Sequence, residues 1–136
     1  MLELCLNFRF IVKIPKGYPL ESAGPVFCAG ITMFSPLTKY GADKGGKRVG
    51  IVGIGGLGQM GVQLAKAMGN TVTAISTSPN KKDAALEIGA DNFVVSTSQE
   101  SMKAAAGSLD LILNTVSAEF DVNLYLPLLV CLKNTF

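Results

Sequence analysis

The chain contains no histidine. Imidazole acid–base catalysis, and the common zinc ligand sets that use imidazole, are therefore excluded within these 136 residues. Cysteine is sparse as well. Cys5, Cys28 and Cys131 are odd in number and far apart, so no disulfide framework or CxxC site is readable. Charged residues make up 16% of the chain against 49% hydrophobic. That balance fits a sheet buried on both faces, or apolar surface that needs a cover. A net charge of +2 is too small to point to nucleic acid. No apolar run approaches the ~18 residues of a membrane span. Glu3 and Arg9 interrupt the apolar N-terminus and argue against a signal peptide. The expectation is a reduced, soluble, cytoplasmic protein of one domain, without membrane or nucleic-acid partners.

One absence is local. No acidic residue lies between Asp43 and Asp83, whereas Lys44, Lys47, Arg48, Lys66, Lys81 and Lys82 all do. Such a stretch makes a mildly electropositive field, suited to phosphates. At its centre stands Arg48-Val49-Gly50-Ile51-Val52-Gly53-Ile54-Gly55-Gly56-Leu57-Gly58. Gly53, Gly55 and Gly58 have the G-x-G-x-x-G spacing, after a β-branched run and before an amphipathic helical pattern. In that motif the first glycine turns the chain and the second admits a pyrophosphate. The third lets the helix pack close, and the helix N-terminus faces the phosphates.

Residues 1–9 carry no clear pattern. Phe10–Ile14 reads as a short strand, stopped by Pro15 and the Lys16-Gly17 turn. Pro19–Ala23 reads as a helix start, with Pro25 as a kink or restart. A second helical stretch runs from about Ile31 to Tyr40, with Pro36 as another kink. After the glycines, Leu57, Met60, Gly61, Leu64, Ala65 and Met68 recur at helical spacing and Gly69 is a left-handed stop. Thr71–Ile75 is a strand. Ser78-Pro79 opens a helix as N-cap and first residue, and Gly89 closes it. Phe93–Val95, Gln99–Ala106 and Leu109–Val116 read as strand, helix and strand, and Asp121–Lys133 as a helix containing Pro127. The fold class is α/β: an incomplete Rossmann-type, doubly wound parallel sheet with helices on both faces. Four strands follow Arg48, where a complete dinucleotide fold has six.

The end of the second strand chooses the cofactor. An NAD site places a carboxylate there for the ribose hydroxyls. This chain has Ser76, Thr77, Ser78 and Lys81 instead, which favour the 2′-phosphate of NADP. The same residues have a plainer reading, with Ser78 a helix cap and Lys81 a solvated lysine. S-adenosylmethionine methyltransferases also use a glycine turn, and they too usually want the absent acid. Cys28, set among Val26, Phe27, Ala29 and Gly30, reads by itself as a buried small apolar side chain.

Residues 10–40 and 47–130 resemble the zinc-containing medium-chain alcohol dehydrogenases, in their cinnamyl alcohol dehydrogenase-like branch. The resemblance is carried by Phe10-Ile11-Val12-Lys13-Ile14-Pro15, Cys28-Ala29-Gly30-Ile31-Thr32 and the glycine stretch. Further along it is carried by Ile75-Ser76-Thr77-Ser78, Leu86-Glu87-Ile88-Gly89-Ala90-Asp91 and Asn114-Thr115-Val116. It implies an NADP-dependent oxidoreductase of aldehydes and primary alcohols. By similarity Cys28 falls on a ligand of the catalytic zinc and Thr32 on a residue touching the cofactor. Gly53, Ile54, Gly55, Gly56, Leu57 and Gly58 would hold the pyrophosphate. Ser76, Thr77, Ser78 and Lys81 would surround the 2′-phosphate, with Thr115 nearby.

The resemblance also implies parts that these residues do not supply. The family's catalytic domain, with its remaining zinc ligands, belongs before Phe10, and two further strands and the dimer-forming edge belong after Lys133. The expectation is a fragment that binds NADP(H), lacks a complete zinc site and is inactive alone. Residues 1–27 would lead from the catalytic domain, and 28–136 would be a truncated NADP-binding domain. A small aldehyde or alcohol would bind only with the catalytic domain, and the resemblance allows a homodimer. The alternative is a non-catalytic nucleotide-binding or interaction module.

Overall fold

The computed structural model describes residues 12–130. Helix α1 (Leu20–Lys39) precedes an alternating series: β1 (Arg48–Val52), α2 (Gly56–Ala67), β2 (Thr71–Ser76), α3 (Lys82–Glu87), β3 (Asn92–Val95), α4 (Gln99–Ala104) and β4 (Leu111–Asn114). The four strands are all parallel, in the order β3-β2-β1-β4. This is the doubly wound α/β arrangement expected from the sequence.

Strand periodicity explains the two layers. Val49 and Ile51 of β1, with Val72 and Ala74 of β2, point to one face and pack with Met33, Leu37, Val62 and Ala65 of α1 and α2. Val52 and Ile75 point the other way, onto Met102, Leu109 and Leu128. Gly50 has no side chain because Leu109 lies over it: a β-carbon there would stand 2.7 Å from Leu109 Cδ1.

Polar fastenings hold the strand beginnings. Arg48 makes a forked pair with Asp110, Nη2 to Oδ1 at 2.7 Å and Nε to Oδ2 at 3.1 Å, and its amide donates to the same carboxylate. Asp110 is thereby held well below the usual carboxylate range, at about 2, chiefly by the guanidinium hydrogen bonds. Asp91 accepts from Lys66 at 2.6 Å and from the Val72 amide at 2.8 Å, which lowers its pKa. Asn70 is buried. Its Nδ2 donates to the carbonyls of Ala42 (2.8 Å) and Ala65 (2.9 Å), and its Oδ1 accepts from the Lys47 amide.

Several local expectations are corrected. The two helical stretches before Tyr40 are one helix, α1, which passes through both Pro25 and Pro36. A helix-interior proline loses a hydrogen bond at about 3 kcal/mol, and packing keeps α1 continuous: Gly61 of α2 gives way to Met33, whose Cε would overlap any β-carbon there. Val12–Ile14 form no strand, while Phe10 and Ile11, like residues 1–9, lie outside the described residues. Instead of one helix from Asp121, two 3₁₀ turns appear, Val122–Leu124 and Leu126–Leu128, the second containing Pro127, which lacks an amide donor. Residues 131–133 of that expected helix lie outside the described part.

Candidate functional site

The site is built where β1 gives way to α2. Gly53 takes φ +88°, a conformation that side chains rarely adopt, and its amide donates to the Ile75 carbonyl at 2.9 Å. The turn is thus tied to β2. Gly58 sits against it so closely that a β-carbon would overlap the Gly53 carbonyl oxygen. Gly55 and Gly56, by contrast, face open space. Gly55 is the N-cap of α2 and brings no side chain to cap its first amides. Turn, opening and close packing therefore fall to Gly53, Gly55 and Gly58 in that order. Ile54 is buried, and Leu57 is half-buried against the core.

A cavity of about 310 Å³ lies beside this turn, at the C-terminal ends of the strands. Gly53, Gly55, Ser76, Thr77, Lys81 and Thr115 line it. Among the described residues its lining holds one cation, Lys81, and no carboxylate. Lys81 reaches across from the 3₁₀ turn Pro79–Lys81 and donates from Nζ to the Ile54 carbonyl at 3.1 Å. The second strand's end and the glycine turn are thereby joined by one ammonium group. A second cavity, about 390 Å³, lies under Arg48, Thr71 and Asn92 at the opposite ends of the strands, away from the glycine turn.

Other expected residues are placed differently. Ser78 precedes Pro79 as expected, but its hydroxyl caps nothing. Its carbonyl receives the Lys81 amide at 3.4 Å, and its own amide donates to Ser76 Oγ at 3.2 Å. Thr115 lines the cavity, yet its hydroxyl serves the turn. Oγ1 lies 2.8 Å from the carbonyl oxygens of both Val52 and Gly53. Thr32 and Cys28 stand one turn apart on α1, with Thr32 Oγ1 donating to the Cys28 carbonyl at 2.8 Å. Both are exposed, so the reading of Cys28 as a buried apolar residue is corrected, and neither lines the cavity. Sequence reading missed Ser96 and Ser117 in the cavity wall. Their signal was positional: each follows the C-terminal end of a parallel strand, where such folds bind ligands.

The model of the family described as "Zinc-binding dehydrogenase" matches residues 56–130, more than half of the chain. The chain belongs to the zinc-binding dehydrogenase family.

Among similar proteins, 8-hydroxygeraniol dehydrogenase of Catharanthus roseus is 52% identical over 127 residues, covering 93% of this chain and 34% of the relative. A solved cinnamyl alcohol dehydrogenase from Sorghum bicolor superposes with a TM-score of 0.84 at 50% identity, covering 87% of this chain and 34% of that one. CAD from Helicobacter pylori, complexed with NADP(H), gives a TM-score of 0.76 at 39% identity, covering 87% and 32%. This zinc-binding dehydrogenase chain thus spans about a third of the length of the relatives it matches.

Its described residues do not fit a catalytic zinc. Such a site needs three protein ligands and an open position. Among the described residues no group of three or more histidine, cysteine, aspartate or glutamate side chains comes together, and Cys28 is an exposed free thiol.

Proposed function

We propose that this chain is the NADP(H)-binding part of an oxidoreductase that interconverts aldehydes and primary alcohols. The observation that carries the reading is the carboxylate-free cavity on which the glycine turn, Ser76 and Lys81 converge. Bound NADP supplies or accepts the hydride. The chain's own residues bind and orient it. Gly55 and Gly56 leave room for the pyrophosphate at the start of α2. Lys81 keeps one proton on the Ile54 carbonyl and has two left for phosphate oxygens. Ser76 and Thr77 offer hydroxyls in the same cavity wall, Ser78 follows them outside that lining, and Thr115 keeps the turn in place. The crystallised relative complexed with NADP(H) supports this choice of cofactor.

In this reading residues 28–136 are part of the cofactor domain and residues 1–27 lead into it. Cys28 is the family's zinc position and Thr32 its cofactor neighbour. The chain alone binds cofactor without turnover. The aldehyde or alcohol requires the catalytic domain, a homodimer belongs to the longer enzyme, and the compartment is the cytoplasm.

The test is titration of NADPH and NADH against the wild type, Ser76→Asp and Lys81→Ala, at low and high salt. A hydrogen bond to a charged group contributes about 1.5–3 kcal/mol, so one good contact should favour NADPH by roughly ten- to a hundred-fold. Ser76→Asp should reverse the preference, and Lys81→Ala should weaken NADPH while sparing NADH. Equal affinities in the wild type would overturn the assignment.

A further inference from the structure

The cavity of about 390 Å³ at the N-terminal ends of the strands takes no part in the site described above. Strand alternation makes its floor polar. Val72 and Ala74 of β2 point into the core beside α1 and α2, so Thr71 and Thr73 point to the opposite face. The register sets Arg48 of β1 opposite Thr71, and Asn92 of β3 opposite Thr73. Further along the same face, Val52, Ile75 and Val94 are apolar and pack with Met102 and Leu109. The polar half is walled instead by Ala104 and Ala105 at the end of α4, which are too short to fill the space.

Thr73 decides the chemistry. It is only 6% exposed, yet its hydroxyl has no hydrogen-bond partner among the described residues. Every fully enclosed polar side-chain atom among them has one, so this hydroxyl opens into the cavity that Thr73 lines. A buried hydroxyl needs a partner, and here the partner must come from the cavity.

The groups around it are of one kind. Ser101 Oγ accepts from the Val95 amide at 3.1 Å and keeps its own proton for a ligand. Thr71 and Asn92 can each donate and accept. Arg48 adds donors but no free charge, because Asp110 already holds its Nε and Nη2. A charged ligand therefore finds no open counter-charge. Hydroxyl groups, which also donate and accept, match these partners, and the alanine wall suits a carbon skeleton. The volume lies within the ~300–1,000 Å³ of small-molecule sites.

We propose that this cavity is a second ligand site, for a small neutral polyol or sugar held by Thr71, Thr73, Asn92 and Ser101. The six-strand order of a complete dinucleotide fold continues beyond β4, whereas the cavity lies under β1, β2 and β3. Added strands therefore extend away from it. Helix α1 packs on the other face of the sheet, and the cofactor cavity lies at the other ends of the strands. The inference does not depend on which nucleotide binds there.

The test titrates sorbitol and glucose into the whole chain and follows backbone amide shifts by NMR. Melting temperature is unsuitable as a readout, because such osmolytes stabilise folded proteins by exclusion from their surface. Saturable shifts are expected at Thr71, Thr73, Asn92 and Ser101, while the amides from Gly53 to Gly58 stay unmoved. Thr73→Val keeps the branched shape and removes the hydroxyl. It should weaken binding roughly three- to tenfold, the scale of one neutral hydrogen bond. Ala104→Leu should abolish binding by filling the cavity, and Thr38→Val, on α1, should change nothing. Should Ala104→Leu fail to fold, Thr73→Val and Thr71→Val carry the test. Shifts that never saturate, or an affinity unchanged by Thr73→Val, would mean that water alone fills the cavity and would overturn the proposal. So would inorganic phosphate or acetate shifting these amides at concentrations where neither polyol does, since the cavity would then read charge.

Discussion

Gly58 stands directly against the carbonyl oxygen of Gly53, with no room between them for a β-carbon. Two residues five apart in sequence thereby set the angle at which α2 leaves the sheet. Gly58→Ala is expected to destabilise the fold by ~1–3 kcal/mol, the range for overpacking a tight site. It should also weaken NADPH binding, because the turn must move. Urea unfolding and a cofactor titration check both outcomes.

Gly55→Ala separates folding from binding. Gly55 has φ −102° and open space around its β position. The substitution should change stability by no more than ~0.5 kcal/mol, as at an uncrowded surface site. It should nonetheless weaken NADPH, since the methyl group occupies the space through which the pyrophosphate approaches. Unchanged affinity would place the phosphates elsewhere.

Asn70→Asp tests the buried clasp. The replacement oxygen cannot donate to the Ala42 and Ala65 carbonyls, which Asn70 Nδ2 now serves. Removing one partner from a buried polar pair costs about 1–3 kcal/mol, and two carbonyls lose a donor here. A fall in the urea midpoint with unchanged slope is the expected result.

Stability should decline in acid through Asp110 and Asp91. Both are lowered in the folded protein, Asp110 to about 2, by hydrogen bonds to Arg48 and Lys66 respectively. A carboxyl with a depressed folded pKa binds more protons when unfolded. Its contribution is therefore complete above the unfolded value of ~3.9 and disappears as pH falls through the folded one. Melting temperature against pH should drop between about pH 4 and pH 2, and Asp110→Asn should flatten part of that drop. Both pairs are partly exposed, so high salt should shrink the effect.

The chain by itself should retain no stoichiometric zinc after dialysis and should not turn over cinnamaldehyde with NADPH. Its described residues bring no three ligands together, and one cysteine cannot hold a catalytic zinc. Metal analysis and a turnover assay decide this. Stoichiometric metal or sustained turnover would mean that the site assembles from residues not yet assigned to it.

By itself the sequence determined whatever rests on short-range spacing. Short apolar runs marked the four strands, helical spacing from Leu57 to Met68 marked α2, and the glycines at 53, 55 and 58 marked the turn. Gly69 and Gly89 fell at positive φ, as helix ends require. Tertiary structure decided what depends on partners distant in sequence. Pro25 and Pro36 should break α1, but burial of Met33 and Leu37 against α2 outweighs that local preference. Thr115 could be placed near the turn from sequence, but only the crossover from β3 to β4 sets its hydroxyl between the Val52 and Gly53 carbonyls. Asn70 gave no signal at all, because its partners are the backbone atoms of Ala42, Lys47 and Ala65, and backbone atoms leave no trace in a sequence.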